Sequence, residues 1–312
     1  MKRFQRRGIV LSPGDTELAG WVDRATRARL NVIGLHASPQ AVLEFVRSEP
    51  GRRFLAEAHQ ARLDIEYEMH SMSYLMPPEV LEAHPDWMRT EANGEKAGWN
   101  FCPSNVEALA FVAARAAKLA EELRPTTNRF YLWPDDARPW CRCSRCAALS
   151  DSDQALITAE AILRALRSSN PDAQLAHLAY ANTLQPPTRR PPQGIFLEYA
   201  PIQRCYEHPL SDKTCQKNRE HAETLFALLR VFPAREAHVL EYWLDASMFS
   251  GWKRPPVKVP FSRKILRADL EFYAQLGIRS ITTFGVFLDP EYVRLHGEPP
   301  VVEYGKELWG EA

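Results

Sequence analysis

The chain has 312 residues, 45% hydrophobic and 25% charged, which is ordinary for one large globular domain with a core that needs no disulfides. Its 39 basic residues balance 39 acidic ones, whereas a nucleic-acid or membrane-surface partner would call for a basic excess. No apolar run approaches the roughly 20 residues of a membrane span, and the basic N-terminus leads straight into a strand-like segment without an apolar signal core, so a cytoplasmic protein is expected.

Short apolar runs recur between amphipathic stretches and read as buried parallel strands, because such strands are covered on both faces. The first spans residues 8–11 and ends at Ser12-Pro13-Gly14, with a helix expected over 15–27. The second spans 30–35 and ends at His36, before a helix over 39–62. The third spans 63–69 and ends at His70. Leu109, Val112, Ala113, Ala116, Leu119, Ala120 and Leu123 then share one face at helical spacing. The fourth strand, 130–133, ends at Pro134-Asp135-Asp136. Past a cap-like Ser150-Asp151-Ser152, another helix carries Ala155, Leu156, Ala159, Ile162, Leu163 and Leu166. The fifth strand spans 174–180, and the Pro-rich stretch 185–193 after it has no helical pattern, so one helix is expected to be missing there. The sixth strand spans 194–199, with a helix over 221–230. The seventh spans 238–243, ends near Asp245, and precedes a helix over 262–276. The eighth spans 278–284, and a last helix covers 301–309.

Eight strands alternating with helices predict an α/β fold, a (β/α)8 TIM barrel forming a single domain over residues 1–312. A doubly wound open sheet would carry a glycine-rich phosphate turn after its first strand, and none is present. In a barrel the chemistry sits at the C-terminal ends of the strands. That rule selects His36, His70, Asp135, Asp136, Tyr180, Glu198, Glu241, Trp243 and Asp245, with Trp133, Tyr199, Trp99, Trp140 and Trp252 in or near the mouth. Carboxylates accept hydrogen bonds from sugar hydroxyls and flat rings pack on pyranose faces, so a neutral polyhydroxylated substrate is expected.

Glycoside cleavage needs two carboxyl groups, one to protonate the leaving oxygen and one to attack or to activate water. Adjacent Asp135 and Asp136 could raise each other's pKa, and Glu198 or Glu241 could supply the second group. The plain alternatives stay open: an Asp-Asp pair is also a common turn or helix cap, and a glutamate in an apolar run is sometimes a structural ion-pair partner.

Cys141, Cys143 and Cys146 place three thiols in six residues, a spacing that suits zinc, with Cys102 as a candidate fourth ligand. A structural staple is expected there rather than a catalytic centre, and free thiols are the alternative. Cys205 and Cys215 flank a polar loop after the sixth strand and could pair under oxidising conditions.

The stretches Glu68-Met69-His70-Ser71-Met72-Ser73-Tyr74-Leu75, Asn100-Phe101-Cys102-Pro103-Ser104-Asn105, the Trp-Pro-Asp-Asp to Cys-x-Cys-x-x-Cys segment, and Phe196-Leu197-Glu198-Tyr199-Ala200-Pro201 resemble a bacterial family known as a domain of unknown function. The resemblance implies a branch of the glycoside hydrolase barrels, distantly similar to α-glucuronidases and β-hexosaminidases. The hexosaminidases use a strand-four Asp-Glu pair to hold a substrate amide and donate the proton. Asp135-Asp136 has a shorter second side chain, which departs from that pattern. In the α-glucuronidases an acid on strand four works with carboxylates of later strands. Asp136, Glu198 and Glu241 fit that arrangement, although no basic partner for a uronate is evident.

The expected function is therefore O-glycoside hydrolysis without a catalytic cofactor. Asp136 would be the acid, modulated by Asp135, and Glu198 or Glu241 the base or nucleophile. His70, Trp133, Tyr180, Tyr199, Trp243 and Asp245 would bind substrate. The rival readings are a metal-dependent sugar isomerase or epimerase using Glu198, Glu241, Asp245 and a histidine, and a non-catalytic carbohydrate-binding barrel.

Overall fold

The computed structural model describes residues 4–310. Its strands are β1 (Arg6–Leu11), β2 (Val32–Leu35), β3 (Asp64–His70), β4 (Arg89–Thr90), β5 (Lys96–Ala97), β6 (Arg129–Trp133), β7 (Gln174–Ala179), β8 (Ile195–Tyr199), β9 (His238–Glu241) and β10 (Ser280–Phe284). Eight of them close into a barrel in the order β1-β10-β9-β8-β7-β6-β3-β2, every neighbouring pair parallel. The first strand hydrogen-bonds to the last, with Gly8 opposite Thr282, so the sheet has no open edge. β4 and β5 form a separate antiparallel ribbon in the long connection between β3 and β6. The barrel and the single-domain architecture follow the expected strand plan, with shifts of one or two residues at most strand ends.

The helices depart from expectation where glycine, proline or serine interrupts them. Residues 15–27 do not form one helix. A 3-10 turn at Pro13–Glu17 gives way to a helix at Trp21–Arg27, with Gly20 between them in the left-handed region at φ 81°. The stretch 39–62 splits into helices Pro39–Arg47 and Glu49–Gln60. Ser48 lies between them in an extended conformation and caps the second, and Pro50, which lacks an N–H, fits only in that first turn. After β7 the chain makes one 3-10 turn, Ala181–Thr183, where an ideal barrel would carry a helix. The long helices Val106–Glu122, Asp151–Leu166, Gln216–Leu228 and Arg263–Gln275 pack apolar faces on the outside of the barrel. Among the described residues no helix is long and apolar enough to cross a membrane.

Alternate residues of each strand point inward. The upper interior is filled by Val10, Tyr131, Trp133, Ala176, Leu178, Phe196, Leu240, Tyr242 and Phe284. The N-terminal end of the barrel holds a polar plug. Arg6 donates to Ser280 Oγ (3.1 Å) and pairs with Glu66, which also accepts from Thr127 Oγ1 (2.6 Å). The His238 ring lies 2.8 Å from Ser280 Oγ and 3.0 Å from Thr282 Oγ1. Each of these buried polar groups has a partner, which is what makes its burial tolerable.

At the other end a buried aspartate straps the ring shut. Asp15, after β1, accepts from Ser12 N and Ser12 Oγ, both at 2.7 Å, and from Phe287 N (2.8 Å) after β10. Burial outweighs these bonds and lifts its pKa to about 7.

The last helix, Val301–Trp309, packs against Trp21–Arg27 at a close approach. A Cβ on Gly305 would lie 2.0 Å from the Ala28 carbonyl oxygen. Gly305→Ala should therefore destabilise by about 1–3 kcal/mol in urea unfolding, against the roughly 1 kcal/mol gain that alanine gives in an open helix. A gain in stability would show that this helix is free to move away.

Candidate active site

The mouth of the barrel holds a cavity of about 260 Å³. It is lined by His36, His70, Trp133, Asp136, Leu178, Tyr180, Ile202, Leu240, Tyr242, Asp245, Ser247, Trp252, Phe284, Val286 and Phe287. A larger groove of about 750 Å³ runs outside the barrel between residues 13–22 and the helix Glu49–Gln60. Its charged lining residues Glu17, Arg53 and Glu57 are exposed and lie away from the strand ends, whereas the mouth cavity gathers two carboxyls, two imidazoles and two phenols.

Two carboxyls face the cavity in contrasting settings. Asp136 follows β6 and its side chain is 62% exposed, with Oδ1 3.7 Å from His70 Nε2. The Tyr180 hydroxyl lies against it, and burial together with that negative neighbour pushes the phenol's pKa up. Asp245 follows β9 and is buried. Its Oδ1 accepts from Ser247 N (3.1 Å), Ser247 Oγ (2.6 Å) and Met248 N (3.2 Å), which leaves Oδ2 for the cavity. Burial raises Asp245 to about 6 although these bonds oppose the shift.

Both histidines have a fixed tautomer. His36 Nδ1 is 2.9 Å from the Glu68 carbonyl and His70 Nδ1 is 2.6 Å from the Pro134 carbonyl. A carbonyl only accepts, so each Nδ1 carries a proton, and in His36 the Nε2 lone pair stays free. Burial lowers the His36 pKa to about 4, so that ring is a neutral acceptor at neutral pH.

Beneath the cavity floor lies a buried carboxyl pair. Glu198 Oε2 accepts the Trp133 indole N–H (2.6 Å), while its Oε1 and both oxygens of Glu68 have no protein partner. Gly34 makes room for Glu68, since a Cβ there would stand 2.5 Å from Oε1. Burial raises Glu198 to about 8, and burial with the nearby Glu198 charge raises Glu68 well above the carboxylate range. Each carboxyl is stabilised as the neutral acid.

The remaining expected site residues lie elsewhere. Asp135 turns away from the cavity and clips two loops together. It accepts from Ser73 N (2.9 Å), Ser73 Oγ (2.7 Å) and Asn100 N (2.6 Å). Glu241 points to the outside of the barrel. There it meets Arg204 Nε (3.1 Å) and the Tyr273 hydroxyl (2.6 Å), all fully buried. Trp243 also faces outward and donates to Asp269 (3.0 Å), the second carboxylate of Arg204. The Tyr199 hydroxyl donates to the His221 carbonyl (3.0 Å) in the same outer layer. The cause is strand alternation: with Leu240 and Tyr242 inward, Glu241 and Trp243 must be outward. Glu198, Glu241 and Asp245 thus do not converge, and the metal-dependent isomerase reading loses its ligand set. Glu68 and Tyr242 enter or support the site without having been singled out, and the exposed Trp252, expected near the mouth, lies on its rim. Glu68 carried a readable signal, lying two residues before His70 on the same strand face.

Among the described residues, two groups of thiol and imidazole side chains could hold a metal. They are the mostly buried Cys102, Cys141, Cys143 and Cys146, and the more exposed Cys205, His208 and Cys215.

Sequence comparison matches residues 37–288 to a domain of unknown function, DUF4838. The chain belongs to the DUF4838 family. Comparison with curated proteins gives no match. The DUF4838 barrel superposes on an alpha-amylase from Lactobacillus plantarum with TM-score 0.52 and 10% identity, covering 99% of this chain and 80% of that one. It superposes on the catalytic domain of beta-amylase from Paenibacillus polymyxa with TM-score 0.52 and 9% identity, covering 98% and 97%. At such identities the likeness shows the shared barrel fold alone.

Two outcomes test these placements in the DUF4838 protein. Glu241→Gln should cost about 1.5–3 kcal/mol in chemical unfolding, because Arg204 keeps Asp269 as counter-charge but Arg204 Nε and the Tyr273 hydroxyl lose a charged acceptor, while Asp136→Asn should leave stability unchanged. Equal stability in both variants would show that the outer ion pair is dispensable. The second concerns pH. The folded pKa of Glu198, about 8, exceeds its ordinary 4.5, so the native state holds the extra proton. That contribution is complete below about pH 4.5 and fades as pH rises toward about 8. Melting curves of Glu198→Gln should accordingly fall less steeply than wild type across that range.

Proposed function

We propose that this protein is a glycoside hydrolase that removes a single terminal sugar, with Asp136 and Asp245 as the working carboxyls. The observation that carries the reading is that these two groups, from the ends of β6 and β9, line one small aromatic-walled cavity. A volume of about 260 Å³ suits one sugar ring rather than a chain.

The roles follow from the settings. Asp245, raised to about 6 by burial, keeps a proton to give to the leaving oxygen. Asp136 is solvent-facing and lies against the Tyr180 hydroxyl, and it takes the role of the carboxylate that attacks the anomeric carbon or activates water. This exchanges the acid role first expected for Asp136. Trp133 and Tyr242 supply apolar faces for the ring, the Nε2 atom of His36 accepts from a sugar hydroxyl, and His70 Nε2 stands beside Asp136. Glu198 acts through Trp133, fixing the indole from below. In the same reading the four cysteines hold a structural zinc with no part in bond cleavage.

A panel of aryl glycosides and oligosaccharides with varied terminal sugars tests the assignment. Asp136→Asn and Asp245→Asn should each lower kcat/KM by about 10²–10⁴-fold on any substrate the wild type cleaves. In wild type, kcat/KM should decline as pH rises through about 6, where Asp245 loses its proton. Full turnover in either variant would end the proposal.

A further inference from the structure

We infer that Cys102, Cys141, Cys143 and Cys146 bind one zinc ion whose purpose is to lock the loop carrying Asp135 and Asp136 in place. The cage stands on geometry alone, and its link to the active site rests on the glycosidase reading above. The four sulfurs all lie within 4.8 Å of one another. Cys102 Sγ is 3.8 Å from Cys143 Sγ and 3.8 Å from Cys146 Sγ. Four sulfurs at about 2.3 Å from a tetrahedral zinc are separated by about 3.8 Å along each edge. A disulfide would need about 2.05 Å, so the spacing is that of a cage and not of a cross-link.

The surroundings also suit thiolates. Cys141 Sγ accepts from Thr90 N (3.3 Å) and Cys143 N (3.5 Å), and the Ser104 hydroxyl lies 2.9 Å from Cys146 Sγ. Such donors spread the charge of a tetrathiolate and orient its sulfurs. Three of the cysteines are buried, with Cys143 at the edge, so the site is closed and leaves no position for substrate or water.

The cage joins two long excursions of the barrel, the one after β3 and the one after β6. Cys102 N donates to the Trp87 carbonyl (2.9 Å), and Arg142 N donates to the Thr90 carbonyl (2.7 Å) in the β4–β5 ribbon. Asn100, two residues before Cys102, completes the connection to the site. Its Nδ2 donates to the carbonyls of Arg138 (3.1 Å) and Pro139 (3.2 Å), and its Oδ1 accepts from Asp135 N (3.0 Å). Trp99 and Ala137 have φ of 63° and 50°, a strained region for side chains of this kind, and Asn100 between them and the cage sits at φ 49°. Such backbone persists only where neighbouring contacts over-determine it, and a metal cross-link between the two excursions supplies that constraint.

Elemental analysis of protein from zinc-supplemented cultures should find about one zinc per cage. In a Cys215→Ser background, which removes a ligand of the second candidate group, adding Cys102→Ser or Cys143→Ser should each lose at least tenfold of that metal. Should the serine variants not fold, wild type stripped by a thiol-blocking reagent and chelator, then reduced and reloaded with cobalt(II), should show the visible bands of a tetrahedral tetrathiolate. Hydrogen exchange of the stripped protein should accelerate in residues 85–102 and 134–149 and stay unchanged in the barrel strands. Absence of bound zinc together with absence of the cobalt spectrum would overturn the site. Unchanged exchange on stripping would overturn its positioning role. Neither readout uses a substrate, so bound zinc with ordered loops but no glycoside turnover would remove only the glycosidase reading.

Discussion

A ring of parallel strands hydrogen-bonded from first to last offers each side chain two directions, into the ring or out to the helices. The parity of a residue on its strand decides between them. Because β1 pairs with β10, no strand can slip by one position without exchanging its inward side chains for its outward ones. Glu198 and Tyr199 illustrate the consequence: one side chain supports the cavity floor, and its neighbour is bound to a helix. The site is what the inward residues at the upper end of the ring leave open.

That interior is unusually polar for a packed core. Arg6 and Glu66 occupy the lower end, and Glu68 and Glu198 the level beneath Trp133. Charge inside a low-dielectric ring is tolerable only when paired or neutralised by a proton. The lower pair uses the first solution, and the raised pKa values of the upper pair express the second. The cavity therefore rests on a floor that is polar but uncharged.

Much of the barrel was legible because each buried parallel strand is a short apolar run and each covering helix an apolar stripe. The absent helix after β7 was readable too, since prolines in 185–193 cannot supply the N–H groups a helix needs. The helix breaks at Gly20 and Ser48 were harder, because periodicity continues across a single interrupting residue. At the site, the rule that chemistry gathers at strand ends brought His70, Trp133, Asp136, Tyr180 and Asp245 to one cavity. It failed for Glu241, Trp243 and Tyr199 because strand-end position was applied without parity. Asp135 was lost for a different reason: adjacent residues in a turn diverge, and only local hydrogen bonds settle which one faces the cavity.

Arg204, Glu241 and Asp269 form a buried cluster that joins the loop after β8 to β9 and to the helix Arg263–Gln275. Removing Arg204 strands two carboxylates away from water, whereas replacing all three with well-packed apolar side chains leaves no charge unpaired. Such a cluster constrains descent as much as structure. Lineages pass through it only by concerted change, so these three positions should vary together or stay fixed together, even though none of them lines the cavity.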